Sequence, residues 1–159
     1  MSPDRRTLSA PPRLWWQRAI AAVASGIAFV GAFPTFNTAW LAPVSVALLL
    51  WALTGARART AAWVSALHAA VGFGFLVHWV SAVAAVAWPA LVAVMVVWRV
   101  ALGVLIALLL ERKWVALTVP AAWVICEWLQ SSVPWGGFPW GRLAYVGGLG
   151  WLTRAAIWV

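Results

Sequence analysis

An all-α, polytopic transmembrane helix bundle of about five spans is the fold this sequence predicts. Three observations predict it. Hydrophobic residues make up 65% of the chain and charged residues 9%, with a mean hydropathy of +0.94. An ordinary globular domain carries roughly 45–50% apolar and about 25% charged residues, and a soluble chain of this length has no core large enough to hide the excess. The apolar residues come in long runs separated by short breaks, and the basic residues cluster in alternate breaks. The 15 tryptophans suit a chain that meets the water–lipid boundary repeatedly.

Residues 1–13 read as a short disordered cytoplasmic tail carrying Asp4, Arg5 and Arg6. The first apolar run, 15–33, follows Arg13. A basic start before an apolar run has the outline of a signal peptide. The further apolar runs that follow at once favour a signal-anchor helix, about 28 Å long against a hydrocarbon core of about 30 Å. Pro34 ends it, and Thr35–Thr38 makes an uncharged turn. The second run, 40–53, spans only about 21 Å, so it either thins the bilayer or enters and returns; a short hairpin partner for the first helix is preferred.

The third run begins at Ala61 and carries no charge as far as Trp88. At about 42 Å it exceeds one crossing, so it must tilt, or stop near Ser81 and continue along the interface. A helix over 61–81 is expected. Trp88–Pro89 reads as a new start, with Pro at the first helical position, and the fourth helix is expected over 89–110. Glu111, Arg112 and Lys113 close it. The fifth, 114–133, contains Pro120 as a kink site. Together residues 14–133 make the transmembrane region. Residues 134–150, rich in Gly, Pro and Trp, read as an extracytoplasmic loop, and 151–159 as the start of a further apolar segment. Arg5, Arg6, Arg13, Arg18, Arg57, Arg59, Arg112 and Lys113 all fall on one side if five spans alternate, which puts the N-terminus in the cytoplasm.

The charge of +8 raises nucleic acid as a partner. The basic residues form no stripe, however, and topology control explains them better. One cysteine allows no internal disulfide and no Cys-rich metal site. His68 and His78, on one helix, would diverge by about 80°, poor geometry for a shared metal. No metal site and no cofactor are expected. Cys126 beside Glu127 reads as an apolar filler. Gly72 and Gly74 are two apart and do not make a Gly-x-x-x-Gly packing motif; a close approach or bend is their expected use.

Two charges inside spans need an explanation, since each costs about 2.5–3.5 kcal/mol to insert. Arg99 lies about 15 Å and Glu127 about 9 Å below the outer boundary, an offset of about 6 Å that an arginine side chain can bridge. The two pair inside the bundle, line one polar cavity open to the outer side, or snorkel separately toward water. Just beyond Glu127, the clustering of Gly136, Gly137, Pro139 and Gly141 argues for a specified backbone path, and Phe138, Trp140 and Tyr145 suit the headgroup zone.

Glu127-Trp128-Leu129, followed by Gly137-Phe138-Pro139-Trp140 and Tyr145, resembles the signature of bacterial apolipoprotein N-acyltransferases. Gly31-Ala-Phe-Pro34 with Trp40-Leu-Ala-Pro-Val resembles that family's first hairpin, and Gly72-Phe-Gly-Phe-Leu-Val-His-Trp79 its third helix. The likeness covers nearly the whole chain after Arg13. It implies a multi-pass protein of the bacterial inner membrane. It further implies an enzyme that moves an acyl chain from a membrane phospholipid, the donor, to the S-diacylglyceryl N-terminal cysteine of a lipoprotein, the acceptor. The family's Glu-Lys-Cys chemistry belongs to an extracytoplasmic nitrilase-like domain, and no residue here matches it.

The chain is therefore expected to be the N-terminal membrane part, inactive alone, with that domain supplied in cis or in trans. Glu127, Phe138, Pro139, Trp140, Tyr145 and Arg99 are the expected lining of the lipid cavity. Two departures stand out: Gln130 where the family commonly has Arg, and His78 where it often has an aromatic. A small transporter or channel subunit, or a non-enzymatic membrane partner of a separate catalytic subunit, are the alternatives.

Overall fold

The computed structural model describes residues 13–34, 36–133 and 136–146. The expected tail before Arg13, Thr35, Pro134 and Trp135, and the expected segment 151–159 lie outside them. Among the described residues the chain is all-helical, with no strand. Five α-helices follow in order: α1 (Trp15–Ala32), α2 (Leu41–Leu53), α3 (Ala58–Leu76), α4 (Ala87–Leu109) and α5 (Val115–Gln130). Two 3-10 turns, His78–Ala82 and Leu143–Tyr145, complete the set. One of these helices, α4, is long and apolar enough to cross a membrane; α2 and α5 are apolar but shorter.

The helices run alternately up and down. Arg18 at the start of α1 hydrogen-bonds the Ala52 carbonyl at the end of α2, while Thr38 N–H reaches the Gly31 carbonyl at the other end (3.1 Å). Trp88 at the start of α4 donates to Gly74 near the end of α3 (3.0 Å). One end of the bundle therefore gathers Arg13, Arg18, Arg57, Arg59, Arg112 and Lys113, and the other gathers the 136–146 loop. We call these the basic end and the loop end.

Local chemistry explains the connections. Asn37 takes φ 52° in the α1–α2 turn, a region asparagine tolerates. Gly55 takes φ 63° just after Thr54, where a left-handed residue stops a helix and Ala56 N–H closes on Leu53 (3.0 Å). α3 stops at Leu76, five residues short of the expected Ser81. Val77 caps it by donating to Phe73 and Phe75, and the chain tightens into the 3-10 turn. His78 is thus off the helix, and the helical angle to His68 does not apply. α4 starts two residues earlier than expected. Pro89 is its third residue, still within the first turn, where no N–H is needed.

Small residues bring the helices together. A Cβ on Gly26 of α1 would stand 2.8 Å from the His68 carbonyl and 2.9 Å from Val71 of α3, and Gly72 faces Gly26 from the other side. Gly103 of α4 meets Ser65 of α3 in the same way. Gly72 is thus part of a close approach, whereas Gly74 has open space beside it.

Two apolar clusters result. One, toward the basic end, holds Ala22, Leu53, Val64 and Ile106; the other, toward the loop end, holds Phe29, Phe73, Val77 and Met95. Between them lies a layer of buried polar side chains: Ser25, Ser45, Ser65, His68 and Arg99, with Glu127 beside it. The outer surface is apolar too. Every α-helix exposes large hydrophobic residues, among them Ile20, Ile27, Val44, Phe75, Val97, Leu105, Leu117 and Ile125.

Candidate functional site

Arg99 and Glu127 meet. Arg99 Nη2 stands 3.5 Å from Glu127 Oε1, with the two side chains 2% and 7% exposed. The geometry is loose for an ion pair, and other contacts complete it. Glu127 Oε1 also accepts from Trp123 Nε1 at 2.8 Å and from the Leu143 backbone N–H at 3.1 Å. Trp123 is one helical turn before Glu127, so the two side chains lie on the same face of α5. Arg99 Nη2 donates as well to the Gly141 carbonyl at 3.3 Å. Its guanidinium carbon lies 5.3 Å from the Phe73 and Trp123 rings and 5.8 Å from Phe29. Ring faces attract a cation, and a desolvated guanidinium gains most from them. Arg99 Nε and Nη1 have no hydrogen-bond partner among the described residues.

The pair thus does more than join α4 to α5. It fixes the backbone of the Gly-Phe-Pro-Trp loop at Gly141 and Leu143. Gln130, 1% exposed, secures the same loop: its amide donates to the carbonyls of Phe138 and Trp140 (3.3 Å each), and Phe138 N–H returns to the Gln130 carbonyl (2.9 Å). A neutral amide thus ties the loop to the end of α5.

The glycines make the path possible. Gly136, Gly137 and Gly141 all have positive φ (89°, 74° and 81°), and Gly137 presses against the Ser131–Ser132 backbone where no side chain fits. Gly141 packs on Phe73 and Leu76 of α3. The loop lies across the end of the bundle from α5 to α3, and Trp140 meets Trp79 with ring centroids 5.8 Å apart.

Of the six expected site residues, Arg99 and Glu127 come together and Phe138 is half-buried against the loop-end cluster. Pro139 and the side chains of Trp140 and Tyr145 are exposed. Arg142 lies over the Tyr145 ring at 5.8 Å. It is the loop's backbone that meets the ion pair.

A second polar cluster has no counterpart in the sequence reading. Ser25 Oγ lies 2.7 Å from the Ser45 carbonyl and 2.9 Å from His68 Nδ1, and Ser45 Oγ donates to the Ser25 carbonyl at 2.8 Å. All three side chains are buried at the junction of α1, α2 and α3. The cluster joins the three helices through their side chains. Cys126 is buried, its thiol 3.6 Å from the Trp98 carbonyl, which suits the filler role. No group of three or more His, Cys, Asp or Glu side chains suited to a metal exists among the described residues.

Apolar grooves mark the surface of the described residues, four of them well formed. Two follow the α1–α2 seam, of about 610 Å³ toward the basic end and about 690 Å³ toward the loop end. One lies between α4 and α5, and one beside His78 and Trp88. None of the four is lined by Arg99 or Glu127.

Fold and site together define an all-helical scaffold with a polar middle layer and a glycine-shaped loop seated on a buried ion pair. Residues 25–159 match the model of the apolipoprotein N-acyltransferase N-terminal domain, and the chain belongs to that family.

Proposed function

We propose that the chain is the membrane-embedded N-terminal part of an apolipoprotein N-acyltransferase, with five alternating spans and a cytoplasmic N-terminus. Its role is to hold phospholipid acyl chains beneath a nitrilase-like catalytic domain, which acts in cis or in trans. The transfer runs from a phospholipid to the N-terminal S-diacylglyceryl cysteine of a lipoprotein. Glu127 and Arg99 hold the platform, and Phe138, Pro139, Trp140 and Tyr145 form its lipid-side rim.

One observation carries this reading. The motif most diagnostic of the family, the Gly-Phe-Pro-Trp loop, is bonded through Gly141 and Leu143 to a buried ion pair of the bundle. A loop of that kind is a fixed floor for a domain placed above it.

The membrane reading is supported by the apolar exterior of all five α-helices. The exposed tryptophans add to it. Trp15, Trp16, Trp51 and Trp114 belong to the basic end, and Trp40, Trp79, Trp128 and Trp140 to the loop end. Two such levels match the two interfaces of a bilayer.

The test is a chimera in which this chain replaces the matching region of an active apolipoprotein N-acyltransferase. N-acylation of lipoproteins is expected to survive, and Glu127→Ala is expected to abolish it. A chimera that inserts correctly but acylates nothing overturns the scaffold role. The isolated chain is expected to form no thioester with a phospholipid-derived acyl group. A thioester detected on it by mass spectrometry overturns the assignment of the chemistry to another domain.

A further inference from the structure

Of the two grooves along the α1–α2 seam, the one toward the basic end has an arginine, Arg13, stacked on one of its lining residues, Trp51. The groove toward the basic end is lined by Trp16, Ile20, Ala24, Val44, Leu48 and Trp51. Small Ala24 stands between larger neighbours and leaves a channel of about 610 Å³. From Trp16 to Ala24 the helix rises about 12 Å, close to the depth of about 15 Å of one leaflet's hydrocarbon. The mouth is the basic end. There Arg13 lies over the Trp51 ring, 4.5 Å from its centroid, and gives Nη1 to the Thr54 carbonyl at 2.9 Å.

Arg18, by contrast, is buried and committed to the Ala52 and Thr54 carbonyls. An arginine has five N–H donors, and among the described residues Arg13 commits one of them here. Arg57, Arg59, Arg112 and Lys113 are exposed at the same end, where the one exposed acid among the described residues is Glu111. The groove toward the loop end shares Ala24, Val44 and Leu48; no charged side chain lines either groove, and the difference is the arginine stacked on the Trp51 rim of the first.

We infer that the basic-end groove is a binding site for an anionic phospholipid of the cytoplasmic leaflet, with one acyl chain along the α1–α2 seam and the headgroup phosphate at Arg13. The inference rests on the membrane orientation proposed above. Charge complementarity selects the occupant. A second copy of this chain would bring the same cations to the same mouth and be repelled. A phosphodiester accepts charge-assisted bonds from arginine, and a polybasic membrane-proximal surface attracts anionic lipid. The site is distinct from the loop-end platform and lies on the opposite leaflet. It anchors the short α2 against α1.

Photoreactive phospholipids with the same diazirine acyl chain, bearing either a glycerol or a choline headgroup, test this in nanodiscs containing the whole chain. Adducts are mapped by mass spectrometry. In the basic-end groove, around Ile20 and Leu48, the anionic probe is expected to label about fivefold more than the zwitterionic one, the effect of one membrane-proximal basic side chain. In the loop-end groove, around Ile27 and Leu41, the two are expected to label equally. Arg13→Gln should bring the first ratio to one, and Arg13→Lys should keep most of it. Ala47→Phe, which fills the groove from an exposed position, should lower labelling by both probes. Equal labelling in the wild type, or a ratio unchanged by Arg13→Gln, overturns the inference and leaves the membrane reading intact. Failure of either probe to label any helix overturns both.

Discussion

Arg99 and Glu127 are the two residues whose chemistry the bundle must accommodate. Counting helical rise from the run boundaries places them within an arginine's reach, and they do meet. What counting cannot give is the company they keep. Trp123 is foreseeable as a neighbour one turn from Glu127. The Gly141 carbonyl and Leu143 N–H are not, because a glycine-determined loop sets its own path. Removing one partner of a buried pair strands the other charge at a cost of about 3–5 kcal/mol, whereas removing both leaves an apolar contact of similar bulk. Arg99→Leu and Glu127→Leu should therefore each destabilise the chain by about 3 kcal/mol in detergent unfolding. The double variant should lose clearly less than the sum, with a coupling of about 1–3 kcal/mol. Additive losses, or an Arg99→Leu chain as stable as the parent, would show that the two charges act separately.

At the scale of helices, the apolar runs and the positions of Pro and Gly delimit the elements well. The third run is where they mislead: an uncharged stretch from Ala61 to Trp88 carries no mark to show that α3 ends at Leu76. The junction of α1, α2 and α3 was equally hidden. Ser25 and Ser45 are single hydroxyls inside apolar runs, a pattern that occurs wherever a helix needs a small residue. Only the crossing at Gly26 brings them to His68. Ser25 is the hub, since its hydroxyl lies within bonding distance of both the Ser45 carbonyl and His68 Nδ1. Ser45 makes its bond to a carbonyl of α1. Ser25→Ala leaves a buried imidazole nitrogen without its partner, a loss of about 1–3 kcal/mol; Ser45→Ala removes one bond, worth about 1 kcal/mol. Thermal unfolding of both variants in the same detergent checks the order, and a larger effect at Ser45 would remove Ser25 from the centre of the junction.

Whether the proposed bundle has five crossings turns on α2, whose 13 residues rise only about 20 Å. The neighbouring helix shows how far so short a segment reaches. Its start is level with Gly31, through the Thr38–Gly31 bond, and its end is level with Arg18, which bonds the Ala52 and Thr54 carbonyls. From Arg18 to Gly31 α1 also rises about 20 Å. The two arginines at the start of α1 thus reach the terminal carbonyls of α2, where cations suit the helix dipole. In the proposed membrane orientation they would also bring water-seeking charge to the end of a segment too short to reach the interface by itself. A crossing α2 puts Ala58 and Lys113 in the cytoplasm and Ala84 and Ala144 outside. An α2 that enters and returns would instead put Ala58 outside and Ala84 inside. All four positions are exposed. The single native cysteine, Cys126, is buried, and it can be replaced by Ala so that one introduced thiol reports each position. In intact cells a membrane-impermeant maleimide should label Ala84→Cys and Ala144→Cys, and should label Ala58→Cys and Lys113→Cys only after permeabilisation. Labelling of Ala58→Cys in intact cells, with Ala84→Cys protected, would convert α2 into a re-entrant segment and remove one crossing from the bundle.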